Sequence, residues 1–445
     1  MNRDAATVLT GLDAAREEIE NHYRDLHAHP ELGMSEHRTA ALAATALRDY
    51  GYQVTTGIAG TGVTGVLRNG PGATVLLRAD MDALPVREAT GLPYASTATV
   101  DRDGVAQPVM HACGHDVHVA CLLGAARLMA AARHTWHGTI IALFQPSEEN
   151  GDGARAMVAD GLTDTIPAPD VVLGQHVLPY PAGTVGTCPG PFLSAADSLR
   201  VTLHGRGAHG SQPQASVDPV VMAAMCVLRL QTVVSREIAP TTPAVVTVGS
   251  IHAGTGPNLI PDDAVLEINV RTYEPQVREH VLHAIERIVR AETAAAGAPR
   301  EPEFEQITAF PPTVNDPETT RRVAAAFATA FGSDAHTLEP QTASEDISEI
   351  PAAFDVPFTY WGLGGTDPAA FAAAAEKGTL FQDIPVNHSS RFAPVLQPTL
   401  DTGVTALVVA ALAWLGTGDD QHRPATGNPP PGTGQLRHDM GRSAT

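Results

Sequence analysis

Two short polar segments most constrain how this chain can fold. The first is MHACGHD at residues 110–116, and the second is QPSEE at residues 145–149. Together they supply a thiol, an imidazole and paired carboxylates, the groups from which a zinc-type site with a hydrolytic base is built. The pattern predicts a metallohydrolase in which the fold brings Cys113 and His115 to Glu148 and Glu149.

These groups also have ordinary structural explanations. A lone cysteine such as Cys113 is usually a small buried hydrophobe, and paired acids such as Glu148 and Glu149 usually form a solvated loop end. The apolar run TIIALF at residues 139–144 argues against the second explanation. It predicts a strand buried on both faces that ends just before the two acids.

Further ligands must come from isolated histidines downstream. His176 ends the apolar run DVVLGQ at residues 170–175, which predicts a buried strand with a residue projecting from its end. His388 lies in the turn-like segment PVNHSS at residues 385–390. A single histidine is structural by default, and His118, on the same helix face as His115, is the nearest competitor. The same default applies to several other histidines: His22, His27, His29, His134, His137 and His204.

Several motifs in order along the chain carry a family resemblance. They are DLHAHPEL (25–32), RADMDALP (78–85), the Cys113 and Glu148 segments, GRGAH (205–209), NLIPD (258–262) and SED (344–346). Through them, roughly residues 15 to 415 resemble the co-catalytic zinc peptidases of the aminoacylase and carboxypeptidase type. Within that family the chain is similar to the amidohydrolase subfamily, which includes hippurate hydrolase and indole-acetyl-amino-acid hydrolases.

The resemblance implies two divalent metal ions per subunit. It implies that Cys113 bridges them and His115 binds one, and that three further ligands complete the shells: Glu149, His176 and His388. Zinc suits a thiolate with imidazoles, but manganese, cobalt and nickel are open alternatives. The resemblance also implies that Glu148 is the general base for a metal-bridging water, and that Asp82 orients a ligand imidazole.

The resemblance assigns the substrate-facing residues to a second domain. His209, which follows a glycine-rich turn, is expected to polarise the scissile carbonyl, in its own subunit or in a partner's. Asn258 and Arg271 are candidates for holding a substrate carboxylate, since arginine offers a planar donor fork that matches this group. Similar proteins dimerise through this domain, so the resemblance implies a homodimer.

Strands and helices alternate up to about residue 189, which predicts an α/β fold with a central, mostly parallel sheet. From residue 190 to 308, strands that alternate apolar and polar residues predict an inserted α+β domain, with a helix that begins at Asp218 and Pro219. The catalytic domain is therefore expected to be discontinuous, with residues 1–189 and 309–416. Residues 417–445 are rich in glycine, proline and threonine, and predict a disordered tail.

Composition narrows the range of partners. The formal net charge of −21 makes nucleic acid and anionic membranes poor partners, because phosphate binding needs clustered lysine and arginine. No apolar run reaches the ~18 residues that span a bilayer, and the first residues lack a signal-peptide pattern. The four cysteines show no paired spacing. A cytoplasmic enzyme without disulfides is the expectation.

The combined prediction is a metal-dependent amidohydrolase that cleaves N-acyl amino acids or small related conjugates. A dipeptidase of the same family is one alternative, and a catalytically silent binding protein that retains the fold is another. Two positions depart from the subfamily: Ser390 stands where a proline is usual, and Ile347 where an aromatic residue is common. These departures leave the shape of the acyl pocket open.

Overall fold

The computed structural model describes residues 3–102 and 104–416. The helices are α1 (Arg3–Leu9), α2 (Leu12–Ala28), α3 (His37–Asp49), α4 (His115–Ala131), α5 (Gly153–Ala159), α6 (Leu162–Thr165), α7 (Pro219–Thr232), α8 (Pro275–Ala295), α9 (Pro317–Phe331), α10 (Glu349–Phe354), α11 (Pro368–Lys377), α12 (Leu380–Asp383) and α13 (Leu396–Leu415). Short 3₁₀ turns lie at Arg133–Thr135, Pro213–Ala215 and Gly332–Asp334, and a π turn at Val233–Glu237.

The strands are β1 (Gln53–Ile58), β2 (Gly62–Asn69), β3 (Thr74–Asp80), β4 (Thr99–Arg102), β5 (Val105–Pro108), β6 (Gly138–Gln145), β7 (Val171–Pro181), β8 (Val185–Thr187), β9 (Gly190–Leu193), β10 (Ala195–His204), β11 (Ala208–His209), β12 (Ala244–Ala253), β13 (Leu259–Ile260), β14 (Asp263–Thr272), β15 (Glu303–Phe310), β16 (Thr313–Asn315), β17 (Ala335–Thr337) and β18 (Phe358–Thr366).

An eight-stranded sheet in the order β1-β2-β6-β3-β7-β18-β8-β17 forms the centre of the molecule. Its middle strands β6, β3, β7 and β18 run parallel, while β1 and β2 add an antiparallel edge. Helices α2, α4 and α13 pack in the core on one face, and α5, α6 and α10 cover the other. The mostly parallel α/β sheet predicted from the alternating pattern is confirmed.

A second, four-stranded antiparallel sheet has the order β12-β14-β10-β15. Alternate residues of β14 are buried, because α7 and α8 pack against one face of this sheet. Asp218 caps α7 by accepting the N–H groups of Val220 and Val221, and Pro219 takes the first helical position, as the sequence predicted. Strand β15 extends to Phe310, two residues past the predicted domain end at residue 308.

The predicted domain division stays a prediction, although each domain supplies its own sheet. It assigns residues 1–189 and 309–416 to the catalytic domain and residues 190–308 to the insert. The predicted disordered tail, residues 417–445, lies outside the described residues.

By length and composition, one described helical segment, Pro219–Glu237, is apolar enough to cross a membrane. A core helix passes the same test, and the buried side of this segment packs on the antiparallel sheet.

Candidate metal centre

The predicted ligand segments meet where β3 and β6 end. Because these strands are parallel, their carboxyl ends lie on one edge of the sheet, where ligands usually bind in α/β folds. Asp82 follows β3, and Glu148 and Glu149 follow β6. Helix α4 starts at His115, after a loop that carries Cys113.

His176 lies inside β7, not at its end as the sequence predicted. The strand continues to Pro181 because β18 pairs with it along most of its length, whereas β3 pairs with it only as far as Gly174. The His176 side chain therefore lies just past the last β3 pairing. Its Nε2 atom is 3.5 Å from Cys113 Sγ.

The structure brings all five predicted ligands together. Cys113, His115 and His176 form one group of potential ligand atoms within 4.8 Å of one another, and Cys113, Glu149 and His388 form another. Cys113 belongs to both groups, which is the position expected of a bridging thiolate. His388 reaches the centre because its N–H donates to the Ala112 carbonyl at 2.8 Å.

Two buried polar atoms at the centre have no hydrogen-bond partner, His115 Nε2 and Glu149 Oε1. They lie 3.9 Å apart. Asp82 fixes the ring of His115 by accepting from Nδ1 at 3.2 Å, and its other oxygen accepts the Glu149 N–H at 2.9 Å. This arrangement leaves Nε2 free to bind an ion. The donor set of sulfur, imidazole nitrogen and carboxylate oxygen fits divalent zinc-type ions.

The adjacent glutamates lie in different electrostatic surroundings. Burial raises the pKa of Glu148 well above its ordinary value, and the nearby carboxylates of Glu345 and Glu149 add to the rise. Although burial acts in the opposite direction, the hydrogen bond from His388 helps to lower the pKa of Glu149. His388 Nε2 lies 3.2 Å from Glu149 Oε2, and bonds to Cys113 and Glu149 raise the pKa of His388 to about 10.

His118, the predicted competitor of His115, has both ring nitrogens occupied. Nδ1 donates to Asp80, and Nε2 accepts the Val177 N–H at 2.8 Å. An imidazole with both nitrogens engaged has no lone pair left for an ion. His118 therefore supports the centre by linking β3 to β7, and this contact was not predicted from the sequence.

A buried arginine crosslinks the sheet below Glu148. Arg78 donates to Asp80 at 2.7 Å, to Glu345 at 2.7 Å and to Gln145 at 2.9 Å. Tyr360 donates to the second oxygen of Glu345 at 2.7 Å. The sequence holds a signal for this network, because a charged residue inside the apolar strand VLLRAD must be paired when it is buried. Ile347, next to the network, is fully buried.

A family comparison agrees with this geometry. Residues 76–386 match the model of "Peptidase family M20/M25/M40". The chain belongs to this family. The predicted resemblance is confirmed, and the M20 chain is a metal-dependent hydrolase that acts on amide bonds.

Individual relatives span most of the chain. The thermostable carboxypeptidase 1 of Saccharolobus solfataricus is 35% identical over 88% of this chain and 94% of its own length. The N-acetyl-L-cysteine deacetylase of Bacillus subtilis is 37% identical over 77% of this chain and 79% of its own. A solved structure, the Bacillus subtilis YXEP protein, described as a dinuclear metal-binding peptidase of the M20 family, is 27% identical with a TM-score of 0.71 and covers 90% of this chain and 98% of its own.

The substrate-facing residues predicted for this M20 chain lie on the antiparallel part of the fold. His209 pairs with Leu259 across β11 and β13, and its exposed Nδ1 bonds to the Ser211 hydroxyl at 2.7 Å. Asn258 is exposed, with its carbonyl accepting the N–H of residue 210. Among the contacts of the described residues, none joins His209 or Asn258 to the predicted metal ligands.

Arg271 spans two parts of the M20 fold. Its Nε donates to Asn269 at 2.9 Å on the same strand, and its Nη1 donates to the Ser344 hydroxyl at 2.7 Å. Ser344 precedes Glu345, which bonds to Arg78 below the metal centre. The Arg271 side chain is therefore the predicted substrate residue with a direct contact to the segment beside Glu148.

Proposed function

We propose that this hydrolase cleaves the amide bond of an N-acyl amino acid or a small related conjugate, releasing a carboxylic acid and an amine. The observation that carries the proposal is the position of Glu148, a buried carboxylate within 4.8 Å of both His115 and Glu149. The name of the Bacillus subtilis deacetylase supports an N-acyl substrate. The name of the archaeal carboxypeptidase favours the alternative, a peptide with a free carboxyl terminus.

The proposed ligand set for two divalent ions is Cys113, His115, Glu149, His176 and His388. When bound, such ions acidify a water and polarise a carbonyl. Zinc suits this set, while manganese, cobalt and nickel are alternatives that the carboxylate leaves open. Asp82 would hold His115 in the tautomer that leaves Nε2 available to bind an ion, with Nδ1 carrying the proton that Asp82 accepts.

Glu148 would take a proton from the attacking water and pass it to the leaving amine. A base must be able to hold the proton between these two steps, so a carboxylate with a raised pKa is better suited than one with an ordinary pKa. The burial of Glu148 and the neighbouring Glu345 provide that rise. The same burial keeps bulk water away from the proton being transferred.

Arg271 is proposed to hold the substrate carboxylate. Two of its five N–H donors bond to Asn269 and Ser344, and the others can bind an anion. Arg271→Ala should raise KM at least tenfold for an acyl amino acid, and much less for the matching acyl amide that lacks the carboxylate. Steady-state kinetics on both substrates measure this, and equal effects would contradict the assignment. Asn258 and His209 are proposed to assist, His209 by polarising the carbonyl.

We also propose a homodimer formed through the antiparallel sheet domain. Helix α7 exposes a stripe of apolar side chains at helical spacing, Val221, Met225 and Leu228, the last 66% exposed. Strand β12, at the edge of the same sheet, exposes Val245 and Ile251. An exposed apolar stripe on a helix and an open strand edge each favour association. The four unpaired cysteines support a cytoplasmic location.

The proposed function is tested by amine release from N-acyl amino acids, acyl amides and dipeptides. Protein stripped with a chelator is assayed alone and after addition of zinc, manganese or cobalt. Metal-restored cleavage of N-acyl amino acids is the expected result, and a preference for dipeptides would support the peptidase alternative. Absence of metal binding would overturn the ligand set and favour a silent binding protein.

A further inference from the structure

The side-chain amide of Asn387 lies between three segments that carry proposed ligands. Its Nδ2 atom is 3.2 Å from the carbonyl of Cys113 and 3.1 Å from the carbonyl of Val177, the residue after His176. It also lies 3.7 Å from Cys113 Sγ, within reach of an N–H to sulfur hydrogen bond. Asn387 itself directly precedes His388, so one amide group contacts the cysteine loop and β7 from the His388 turn.

These three neighbours require a donor. Two carbonyl oxygens and a thiolate sulfur only accept hydrogen bonds, and an amide NH₂ group offers two N–H bonds to share among them. A carboxylate in the same place would instead face three electron-rich atoms. Asparagine therefore suits position 387 because its amide donates hydrogen bonds, as well as because of its size.

The His388 turn needs this kind of support. The backbone of His388 has φ 69°, in the left-handed region that costs a residue with a side chain about 1–2 kcal/mol. Within the described residues, three contacts hold the turn to the cysteine loop: the His388 N–H on the Ala112 carbonyl, the Asn387 amide, and the bond between the His388 ring and Cys113. The His388 side chain is 55% exposed, so packing alone does little to fix it.

We propose that Asn387 is a positioning residue that sets the geometry of the metal centre and the donor strength of the Cys113 sulfur. Its amide ties the cysteine loop, β7 and the His388 turn together. Its N–H towards Sγ withdraws electron density from the thiolate, as hydrogen bonds to ligating sulfur do in other metal sites. This inference rests on the ligand set given under the proposed function.

The test uses the full-length protein, stripped with a chelator and titrated with Co²⁺, whose bonds to thiolate give a charge-transfer band in the near ultraviolet. Asn387→Asp keeps the shape and removes the donors, and Asn387→Ala removes them without adding charge. In both variants we expect the band to shift in energy and the Co²⁺ affinity, measured by competition with a coloured chelator, to fall about 10–100-fold.

Asn69→Asp is the matched control. The Asn69 amide is also half-buried and also donates to two carbonyls, those of Arg133 and Trp136 at 2.7 and 2.6 Å, but at the other end of the sheet from Glu148. The Asn69→Asp variant should keep the charge-transfer band and the Co²⁺ affinity of the unmodified protein. Thermal unfolding of each variant checks that the chain remains folded.

The possible failures are distinguishable. If Cys113→Ser keeps the charge-transfer band, then Cys113 is not a ligand and the proposed ligand set is wrong. If Cys113→Ser loses the band but both Asn387 variants behave like Asn69→Asp, then the ligand set stands and the role of Asn387 is overturned. A loss of affinity with an unchanged band would refute the electronic part of the proposal and leave the positioning part.

Discussion

At the scale of single residues, the site depends on two adjacent glutamates that face different neighbours. Glu148 is within 4.8 Å of Glu345 and Asp346, in a buried group of three carboxylates, and its pKa is raised by that burial first. Glu149 faces Cys113 and His388. These opposite surroundings suit the proposed roles, with Glu148 as a base that accepts protons and Glu149 as a ligand that must stay ionised.

Replacing Glu148 and Glu149 one at a time should therefore give opposite results. Glu148→Gln is expected to keep its metal ions and lose at least 100-fold in kcat, because an amide cannot accept the proton. Glu149→Ala is expected to lose metal, because it removes a proposed ligand atom. Metal content by elemental analysis, together with kcat, separates the two variants. The reverse pattern would show that base and ligand have been exchanged.

A second residue-scale feature is the buried histidine that holds the loop beside the centre. His27 bonds through Nδ1 to Asp116 at 2.6 Å and through Nε2 to Glu88 at 3.1 Å, and all three side chains are almost completely buried. Although burial opposes the charge, the two carboxylates raise the pKa of His27 to about 10. The loop that carries Glu88 also donates the Ala89 N–H to the Ser390 carbonyl, next to the His388 turn.

This imidazolium makes stability depend on pH. Because the folded pKa of about 10 exceeds the ordinary 6.5, the contribution of His27 is complete below pH 6.5 and is lost as pH rises towards 10. Denaturant unfolding should show His27→Gln less stable than the unmodified protein by on the order of 3 kcal/mol at pH 6.5, with the gap shrinking by pH 10. His29→Gln, at an exposed position, serves as the control. A gap that does not change with pH would contradict the charged state of His27.

At the scale of elements, the start of α4 is fitted closely against β7. Gly114, which precedes the helix, has φ 82°, and a Cβ atom there would lie 2.4 Å from Val177 Cγ1. Cys113 and His115 flank this glycine, and His176 precedes Val177. The contact therefore sets the separation between the proposed ligands of the loop and the proposed ligand of the strand.

Gly114→Ala should separate these elements without unfolding the chain. We expect metal affinity to fall at least tenfold, because the added Cβ atom clashes with Val177 and pushes α4 away from β7. Gly161→Ala is the control, because Gly161 has nearly the same φ of 86° but no atom within 4 Å of an added Cβ. Both variants should lose about 1–2 kcal/mol from strain, and equal metal affinity in the two would contradict the role of the contact.

The secondary-structure elements differ in how well they could be predicted from the sequence. The strands before Asp80 and Glu148 were predictable because buried parallel strands are continuous apolar runs. The length of β7 past His176 was not, because it depends on pairing with β18, which lies far along the chain. The family resemblance named His388 as a ligand although it lies far along the chain, and that role stays a prediction. The contacts of Asn387 required the structure.

At the scale of the whole molecule, the exposed stripe of α7 and the edge strand β12 lead to a prediction about assembly. Leu228→Glu is expected to shift the protein from dimer to monomer in sedimentation equilibrium, because it places a charge in the proposed apolar interface. Val105→Glu is the matched control, since Val105 is 67% exposed on the β4–β5 hairpin. A mass that is the same for both variants would contradict an interface on α7.

The order of the proposed ligands along the chain has a consequence for how the protein is made. Cys113, His115, Glu149 and His176 all precede the antiparallel sheet, whereas His388 follows it and joins the others through the Ala112 carbonyl. A ribosome exposes four of the five groups while much of the polypeptide is still unsynthesised. With the proposed ligand set, the metal site is complete only after His388 has emerged, so most of the polypeptide must be synthesised before the chain can hold both proposed ions.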